Sequence, residues 1–336
     1  MKLAHGKIPI DILKQVIFKN LGAERKEVAL GPSAGIDGAV IDVGNHSLVV
    51  SMDPITGALE RIGWLSVNIN ANDVATFGVE PAFIVSCTML PEGSDRKTVE
   101  TISAQMSEAS KNLGIAIVGG HCEVTPGLTN PIVVCCVMGL TEKGNYVTAG
   151  GARPEDKLIL TKSAGIEGTA ILASDREKQL KKTMSPKMLQ SARKFFEQTS
   201  VVKEAIEAYK TGGVNAMHDP TEGGIVGGVY EMAEASNLGV KILEDKIPVL
   251  PETAEICKFF KINPLRLISS GALLIAAKPD CADEIIEKLK TKKIQASVIG
   301  HFQENPAHRI IVKRNGAVQA LPKPASDHLW LALERK

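Results

Sequence analysis

The stretch Asn68-Ile69-Asn70-Ala71-Asn72-Asp73 places three asparagines and one aspartate inside an otherwise largely apolar segment. The surrounding residues predict a helix over 60–77. Asparagine and aspartate are poor residues for the middle of a helix because their side chains compete for backbone hydrogen bonds. Asn68 and Asn72 are four residues apart and therefore share one helix face. We interpret the stretch as functional; capping or a buried hydrogen-bond network is the structural alternative.

Four further segments combine glycines and polar or acidic residues at the ends of apolar runs. They are Gly35-Ile36-Asp37-Gly38, Ser51-Met52-Asp53-Pro54, Gly119-Gly120-His121-Cys122-Glu123 and His218-Asp219-Pro220-Thr221-Glu222-Gly223-Gly224. None is diagnostic alone, since aspartate is common in turns and at strand ends. Carboxylate and amide oxygens suit Mg²⁺, which usually also contacts substrate phosphates. The five segments in this order therefore indicate a magnesium–nucleotide site.

The glycine pairs predict how phosphates would be held. Gly119-Gly120 is expected to follow a buried strand, 115–118, so that backbone amides can approach a phosphate. Thr221 is expected to cap a helix over 222–238, and Gly223-Gly224 would bring an anion to its N-terminus. The chain has neither a Walker A motif nor a GxGxxG turn after a strand. Nucleotide binding therefore requires another architecture.

Composition excludes several classes of protein. The chain has 336 residues, which is enough for about two domains, and 44% are hydrophobic. A net charge of +1 and 4% aromatic residues argue against nucleic-acid and anionic membrane surfaces. The six cysteines form no CxxC pair, which argues against a structural zinc site. No run has the length of a membrane span or signal core, and we expect a cytoplasmic protein.

Element patterns predict an α/β first half and an α+β second half. The first half begins with an amphipathic helix over 8–21, followed by a hairpin over 39–52. It continues with a strand over 82–89 and a helix to about residue 113 that Ser94 caps. A turn-rich stretch, 143–154, is the expected junction. The predicted domains are therefore 1–151 and 152–336.

Read together, these segments resemble the PurM superfamily, which includes aminoimidazole-ribonucleotide synthetase, hydrogenase-maturation HypE, selenophosphate synthetase and thiamine-monophosphate kinase. The match spans roughly 5–325 and is most similar to the HypE-like branch called AIR synthase-related. The segments that support this branch are Gly31-Pro32, Asp53-Pro54-Ile55-Thr56-Gly57, the run from Gly119 to Leu128, and Ile247-Pro248. The resemblance implies a PurM-like two-domain fold. It also implies a homodimer in which N-terminal sheets join into a barrel, with ATP and Mg²⁺ as cofactors.

The residues and the resemblance together give a set of expected roles. The expected metal ligands are Asp37, Asp53 and Asp73. The expected ATP-binding residues are Asp37, Asn72, Gly119, Gly120, Glu123, Thr221, Glu222, Gly223 and Gly224. The expected catalytic residues are Asp73, His218 and Asp219. His218 would act as a general acid or base, or alternatively as a hydrogen-bonded positioning residue.

Three functions are compatible with such a site. The first is an ATP-dependent enzyme that phosphorylates an amide-type oxygen, for dehydration or cyclisation of a small or protein-borne amide, in hydrogenase maturation. The second is a kinase similar to thiamine-monophosphate kinase, and the third is a nucleotide-binding maturation or regulatory protein without turnover. Departures from the family pattern motivate the third. Gly38 and His121 stand where relatives often carry an acid, and the tail lacks the terminal cysteine of HypE.

Overall fold

The computed structural model describes residues 3, 6–56, 58, 60–323 and 326–334. Gly57, which ends one of the matching segments, lies outside the described residues, as do the last two residues of the tail. Within those ranges the chain forms two mixed sheets, and helices pack on both. The mixed α/β two-domain architecture that the sequence predicts is confirmed.

The described part of the first sheet has six strands. They are β1 (Val28–Leu30), β2 (Ala39–Val43), β3 (His46–Ile55), β4 (Pro81–Leu90), β5 (Ala116–Val124) and β6 (Ile132–Glu142). Their order across the sheet is β1-β2-β3-β6-β4-β5. β4 and β5 are parallel, whereas the other neighbouring pairs are antiparallel. β5 therefore lies at an edge and pairs with β4 on one side only.

Two helices accompany this sheet, α2 (Ile62–Ala75) and α3 (Arg96–Leu113). Every residue of α2 is buried, because the helix lies between the first sheet, α3 and the second half of the chain. The Trp64 indole donates to the Phe196 carbonyl at 2.8 Å across that boundary. The cap of α3 is Asp95 and not Ser94, because the Asp95 carboxylate accepts from the Thr98 amide.

The described part of the second sheet has seven strands, in the order β13-β12-β9-β11-β7-β10-β8. They are β7 (Lys157–Thr161), β8 (Val214–His218), β9 (Gly239–Leu243), β10 (Leu274–Ala277), β11 (Ala296–Gln303), β12 (Arg309–Val312) and β13 (Val318–Ala320). Its helices are α4 (Ile166–Asp175), α5 (Glu177–Leu180), α6 (Pro186–Arg193), α7 (Val202–Thr211), α8 (Gly224–Ala235), α9 (Pro251–Phe260), α10 (Ala282–Thr291) and α11 (His328–Glu334). The two sheets separate between Glu142 and Lys157. The domain boundary at 151/152 itself stays a prediction.

The amphipathic helix predicted over 8–21 is wrong in extent and in burial. The structure has α1 (Ile10–Gln15) and a 3₁₀ turn (Ile17–Lys19), and neither contains a buried residue. Ile10 and Leu13 line a surface cavity instead of a core, so their helical spacing does not report burial. None of the helices in the described ranges has both the length and the apolarity that crossing a bilayer requires.

Candidate functional site

Four aspartates from both halves of the chain form one group, which we call the acid cluster: Asp37, Asp53, Asp73 and Asp219. Asp37 precedes β2, Asp53 lies near the end of β3, Asp73 lies in the last turn of α2, and Asp219 follows β8. These positions are far apart in sequence, and folding of the two sheets against each other brings the carboxyls together.

Burial and neighbouring acids raise the pKa values of three members of the acid cluster. Burial raises the pKa of Asp73 well above its ordinary value, and the carboxyls of Asp53, Asp219 and Asp37 raise it further. Burial raises the pKa of Asp53 to about 6, opposed by Lys7 and assisted by Asp37. Burial also raises the pKa of Asp219 to about 7, with Asp37 as the largest neighbouring acid. The cluster therefore resists full ionisation near neutral pH without a compensating cation.

Asp219 gives the strongest indication that a ligand completes the site. Its side chain is fully buried, and neither carboxylate oxygen has a hydrogen-bond partner among the described residues. A buried carboxylate without partners is costly, because desolvation is not offset by hydrogen bonds. Ligand atoms of Asp37, His218 and Asp219 lie within 4.8 Å of one another. The carboxylates of Asp37 and Asp219, with those of Asp53 and Asp73, offer the oxygen ligands that a hard divalent cation such as Mg²⁺ prefers, whereas the His218 nitrogen is not a natural Mg²⁺ ligand.

Ser51 and Asn70 hold the acid cluster in place. The Ser51 hydroxyl is within hydrogen-bond distance of the Asp73 carboxylate at 2.7 Å and of the Asp37 carbonyl at 2.6 Å. The Asn70 amide oxygen accepts from the Asp53 backbone N–H at 2.6 Å. The Asn70 amide nitrogen lies 3.2 Å from the Asp53 carbonyl oxygen. Asn70 on α2 thus fixes β3, the strand that carries Asp53.

His218 is an ion-paired bridge between the two halves of the chain. Its Nδ1 lies 2.6 Å from Asp37 Oδ2, and its Nε2 lies 3.1 Å from Glu231 Oε2 on α8. Burial alone would lower the pKa of His218, but Asp37 and Glu231 raise it to about 10. Conversely, burial opposes ionisation of Asp37, yet His218 and Lys7 lower its pKa to about 2. Each ring nitrogen therefore lies beside a carboxylate; the contact with Glu231 has hydrogen-bond geometry, and the close contact with Asp37 is an ion pair without it. With a pKa of about 10 the ring is protonated at neutral pH.

Asn72 does not join the acid cluster through its side chain. Its amide nitrogen donates to the Thr199 carbonyl and its amide oxygen accepts from the Val201 N–H, each at 2.8 Å. These bonds tie α2 to the segment before α7. The contacts give Asn72 a structural role within the fold, and its expected ATP-binding role stays a prediction.

The start of α8 also differs from the expectation. The helix begins at Gly224, and Gly223 occupies the N-cap position, so Thr221 is not the cap. The Gly223 N–H donates at 2.7 Å to the carboxylate of Asp327, which is fully buried. The anion at this helix N-terminus is therefore one of the protein's own side chains. Phosphate binding by Gly223 and Gly224 is not supported by this geometry.

Gly119, Gly120 and Glu123 lie within β5 and not in a loop after a buried strand. All nine residues of β5 are exposed, because the strand is at the edge of the sheet. A side chain at Gly120 would place its Cβ 2.3 Å from the Ser86 carbonyl oxygen, so close strand packing already requires this glycine. Glu123 accepts from Thr125 and lies 3.2 Å from His121. Within the described residues, no such contact joins these residues to the acid cluster.

Sequence reasoning missed four residues that shape the site: Lys7, Ser51, Glu231 and Asp327. Ser51 lies in the predicted segment Ser51-Met52-Asp53-Pro54, but no role was predicted for its side chain. Glu231 follows His218 by 13 positions and could have been found by asking which acid on α8 faces the preceding strand. Lys7 and Asp327 are 214 and 104 residues from their partners Thr221 and Gly223, and no local pattern signals such contacts.

Comparison with known proteins agrees with this architecture. The family model described as AIR synthase related protein, N-terminal domain, matches residues 35–141, and its C-terminal counterpart matches residues 153–313. A putative hydrogenase expression/formation protein of Methanocaldococcus jannaschii is 31% identical over 309 residues, which are 89% of this chain and 88% of that protein. The chain belongs to the AIR synthase related protein family. The carbamoyl dehydratase HypE of Rhizobium leguminosarum bv. viciae is 27% identical, with 80% of this chain and 77% of that protein covered.

Solved structures place this family member in the PurM-like fold. HypE in a HypE–HypF complex has a TM-score of 0.77 at 22% identity, covering 93% of this chain and 99% of that chain. HypE in complex with ATP has a TM-score of 0.72 at 19% identity, covering 97% of both chains. At these identities the likeness establishes the fold.

Proposed function

We propose that this protein is an ATP- and Mg²⁺-dependent enzyme of the carbamoyl-dehydratase type that acts in hydrogenase maturation. The observation that carries the proposal is the acid cluster, above all the fully buried Asp219 carboxylate, whose oxygens have no partner within the described residues. The named relatives support the reaction class, since they are a hydrogenase formation protein and a carbamoyl dehydratase. ATP is the nucleotide that accompanies a HypE of the same fold.

Asp37, Asp53, Asp73 and Asp219 would hold the metal. When bound, Mg²⁺ would supply charge neutralisation for a transferring phosphoryl group. Ser51 keeps Asp73 beside Asp37, and Asn70 keeps the backbone of Asp53 in register with α2. Since phosphoryl transfer depends mainly on positioning and electrostatics, these fixed carboxylates are the protein's main contribution.

We propose a positioning role for His218 in place of acid–base catalysis. Its two ring nitrogens lie beside the carboxylates of Asp37 and Glu231, and a pKa of about 10 makes the ring a poor proton donor at neutral pH. As a fixed cation it keeps Asp37 ionised and aimed at the cluster. Asp73 and Asp219 keep the catalytic assignment, through their expected contact with the metal and phosphate.

The departure at Gly38 has a packing explanation. A Cβ at this position would lie 3.0 Å from both the Phe77 ring and the Val50 carbonyl oxygen. A second acid beside Asp37 would therefore have to displace the Phe77 ring or the β3 backbone by a few tenths of an ångström, and Asp219 supplies an extra carboxylate from the other half of the chain. This argues against loss of turnover as the meaning of Gly38.

The proposed acceptor is a carbamoyl-type amide, small or carried by a protein, whose oxygen receives the γ-phosphoryl group. Loss of phosphate with a proton from the amide nitrogen would then give the dehydrated product. A kinase of the thiamine-monophosphate type is not favoured, because the sequence relatives named above are hydrogenase-maturation proteins. The HypE–HypF complex supports a protein partner as the source of the acceptor.

We also propose a homodimer formed through the first sheet. Its edge strand β5 exposes Ile117, Val118 and Val124, each about half exposed, and Met52 on β3 is 64% exposed. An uncovered edge strand with apolar side chains is a template for pairing with another chain. The expected barrel of two joined sheets would cover these residues.

Calorimetry with MgATP tests the proposal on the wild type, on Asp73→Asn and on the control Asp42→Asn. Asp42 lies on the β2–β3 hairpin outside the acid cluster, where it pairs with Ser47 and Lys143. We expect Asp73→Asn to weaken MgATP binding at least about 100-fold, or roughly 2.7 kcal/mol, and the control to bind normally. Phosphate release on adding a carbamoyl-type amide would identify a dehydratase, whereas phosphate retained on the acceptor would identify a kinase. Unchanged MgATP affinity in Asp73→Asn would refute the metal role.

A further inference from the structure

Lys7 brings a positive charge from the N-terminal segment to the acid cluster. Its backbone N–H donates to Glu222 Oε2 at 2.7 Å, and its ammonium donates to Thr221 Oγ1 at 3.3 Å. Both partners belong to the segment between Asp219 and α8. The segment around Lys7 is thus tied at two points to the second half of the chain.

The charge of Lys7 acts on the acid cluster itself. Burial alone would lower the pKa of the Lys7 ammonium, but Glu231, Asp37, Asp53 and Asp73 raise it above its usual range. The effect is reciprocal, since Lys7 lowers the pKa values of Asp37 and Asp53. The hydrogen bond to Thr221 uses one of the three donors of an ammonium group, which leaves donors for a ligand.

Lys7 also lines a cavity that adjoins the acid cluster. The cavity has a volume of about 530 Å³ and lies between α1, the loop before β2, and α8. Asp37 and Glu231 line the same cavity and also bind His218. Lys7 therefore borders the same cavity as Asp37, a member of the acid cluster.

We propose that Lys7 binds the terminal phosphate of MgATP, on the side of the acid cluster that faces this cavity. The inference rests on the proposed function, because it assumes that the acid cluster holds the metal that bridges the phosphates. The cavity would then receive the acceptor, and the phosphate between cluster and cavity is the one to be transferred. An ammonium is well suited to this position as a point charge with rotatable donors.

Calorimetry on Lys7→Ala, Lys7→Arg and Lys14→Ala tests this role with two probes, MgADP and magnesium with a non-hydrolysable ATP analogue. Lys14 is the matched control, because it lines the same cavity but pairs with Glu234 at 3.6 Å. We expect Lys7→Ala to lose about tenfold or more in affinity for the ATP analogue and less than about threefold for MgADP. Lys7→Arg should recover part of the loss, and Lys14→Ala should behave as the wild type. Thermal melts would confirm that all variants are folded.

Each alternative outcome has a separate meaning. Equal losses for both nucleotides would overturn the assignment to the terminal phosphate. Unchanged or tighter binding by Lys7→Ala would also overturn this assignment. It would indicate that the Lys7 ammonium is a counterion of the acid cluster that competes with the metal. Both results presuppose a wild type that binds MgATP, so they leave the proposed function standing. A wild type that binds neither probe would overturn the proposed function and this inference with it.

Discussion

Replacing Asp219 with asparagine should stabilise the metal-free protein at pH 8 and at the same time weaken its response to magnesium and nucleotide. The side chain is fully buried, and its oxygens have no hydrogen-bond partner within the described residues. Asparagine has nearly the same shape and carries no charge. The substitution therefore removes a buried charge without opening a cavity.

The magnitude follows from the pKa of Asp219, which rises from 3.8 to about 7. A rise of about 3 pKa units corresponds to roughly 4 kcal/mol. Because the folded state holds this proton more tightly than the unfolded state, the contribution is fully present below pH 3.8. It is lost as the pH rises through about 7. The advantage of Asp219→Asn over the wild type should therefore grow by roughly 2.5 kcal/mol between pH 5 and pH 8.

Urea unfolding in EDTA at pH 5 and pH 8, followed by tryptophan fluorescence, measures this difference. Glu167→Gln is the matched control. Glu167 is also buried, and burial raises its pKa from 4.5 to about 7, with Asp327, Asp219 and Glu222 as smaller causes, but Glu167 is not a member of the acid cluster. Both variants should gain stability at pH 8. With a magnesium–ATP analogue at 100 times its Kd, the wild type and Glu167→Gln should each gain about 2.7 kcal/mol. Asp219→Asn should gain little.

Two results would refute the reasoning. If Asp219→Asn is less stable than the wild type at pH 8, the carboxylate has compensating partners and is not an isolated buried charge. If the variant keeps the full response to magnesium and nucleotide, Asp219 is not a ligand of the site.

Two further predictions concern the bridge between the domains and the sheet edge. His218→Gln should destabilise the protein by up to about 4 kcal/mol at pH 7. The stabilisation that His218 provides is complete below pH 6.5 and is lost as the pH rises through about 10. The difference in free energy of unfolding between the wild type and His218→Gln, measured by urea unfolding, should therefore be smaller at pH 9.5 than at pH 7. A difference that does not change with pH would argue against the ion pair. Val118→Lys on β5 should convert the proposed dimer to a monomer in sedimentation velocity, whereas Val318→Lys on β13, an equally exposed valine, should not; a Val118→Lys dimer would place the interface elsewhere.

Residue chemistry in the sequence was sufficient to find the acid cluster but not the environment of each member. None of Asp37, Asp53, Asp73 and Asp219 stands out alone, because aspartate is common in turns and at strand ends, but the segments that contain them indicate a site when taken together and in order. The burial of α2 was also predictable, since its residues are apolar around the whole circumference apart from Ser66, the three asparagines and Asp73.

The features that the sequence does not predict depend on strand order and on contacts between residues far apart in the chain. The exposure of β5 depends on strand order, because the same apolar run would be buried in the centre of a sheet. The N-terminus of α8 attracts an anion as expected, yet the anion is Asp327, which is 104 positions away from Gly223. The asparagines of α2 likewise act at a distance: Asn70 holds β3, and Asn72 holds the segment before α7.

The residues of the acid cluster lower the stability of the metal-free fold, and the same residues are the ones available to bind a cation. Four neighbouring aspartates, three of which have pKa values raised by burial and by the other acids, would be expensive if they served the fold alone, since apolar residues could fill the same space. The surrounding residues do not remove the cost. Ser51 and Asn70 fix the geometry, and His218 neutralises Asp37 but leaves Asp219 without a partner within the described residues. Because the protein compensates only part of the charge, the remaining negative charge is available to bind a divalent cation. For this reason the removal of one charge, as in Asp219→Asn, should both stabilise the metal-free fold and weaken the site.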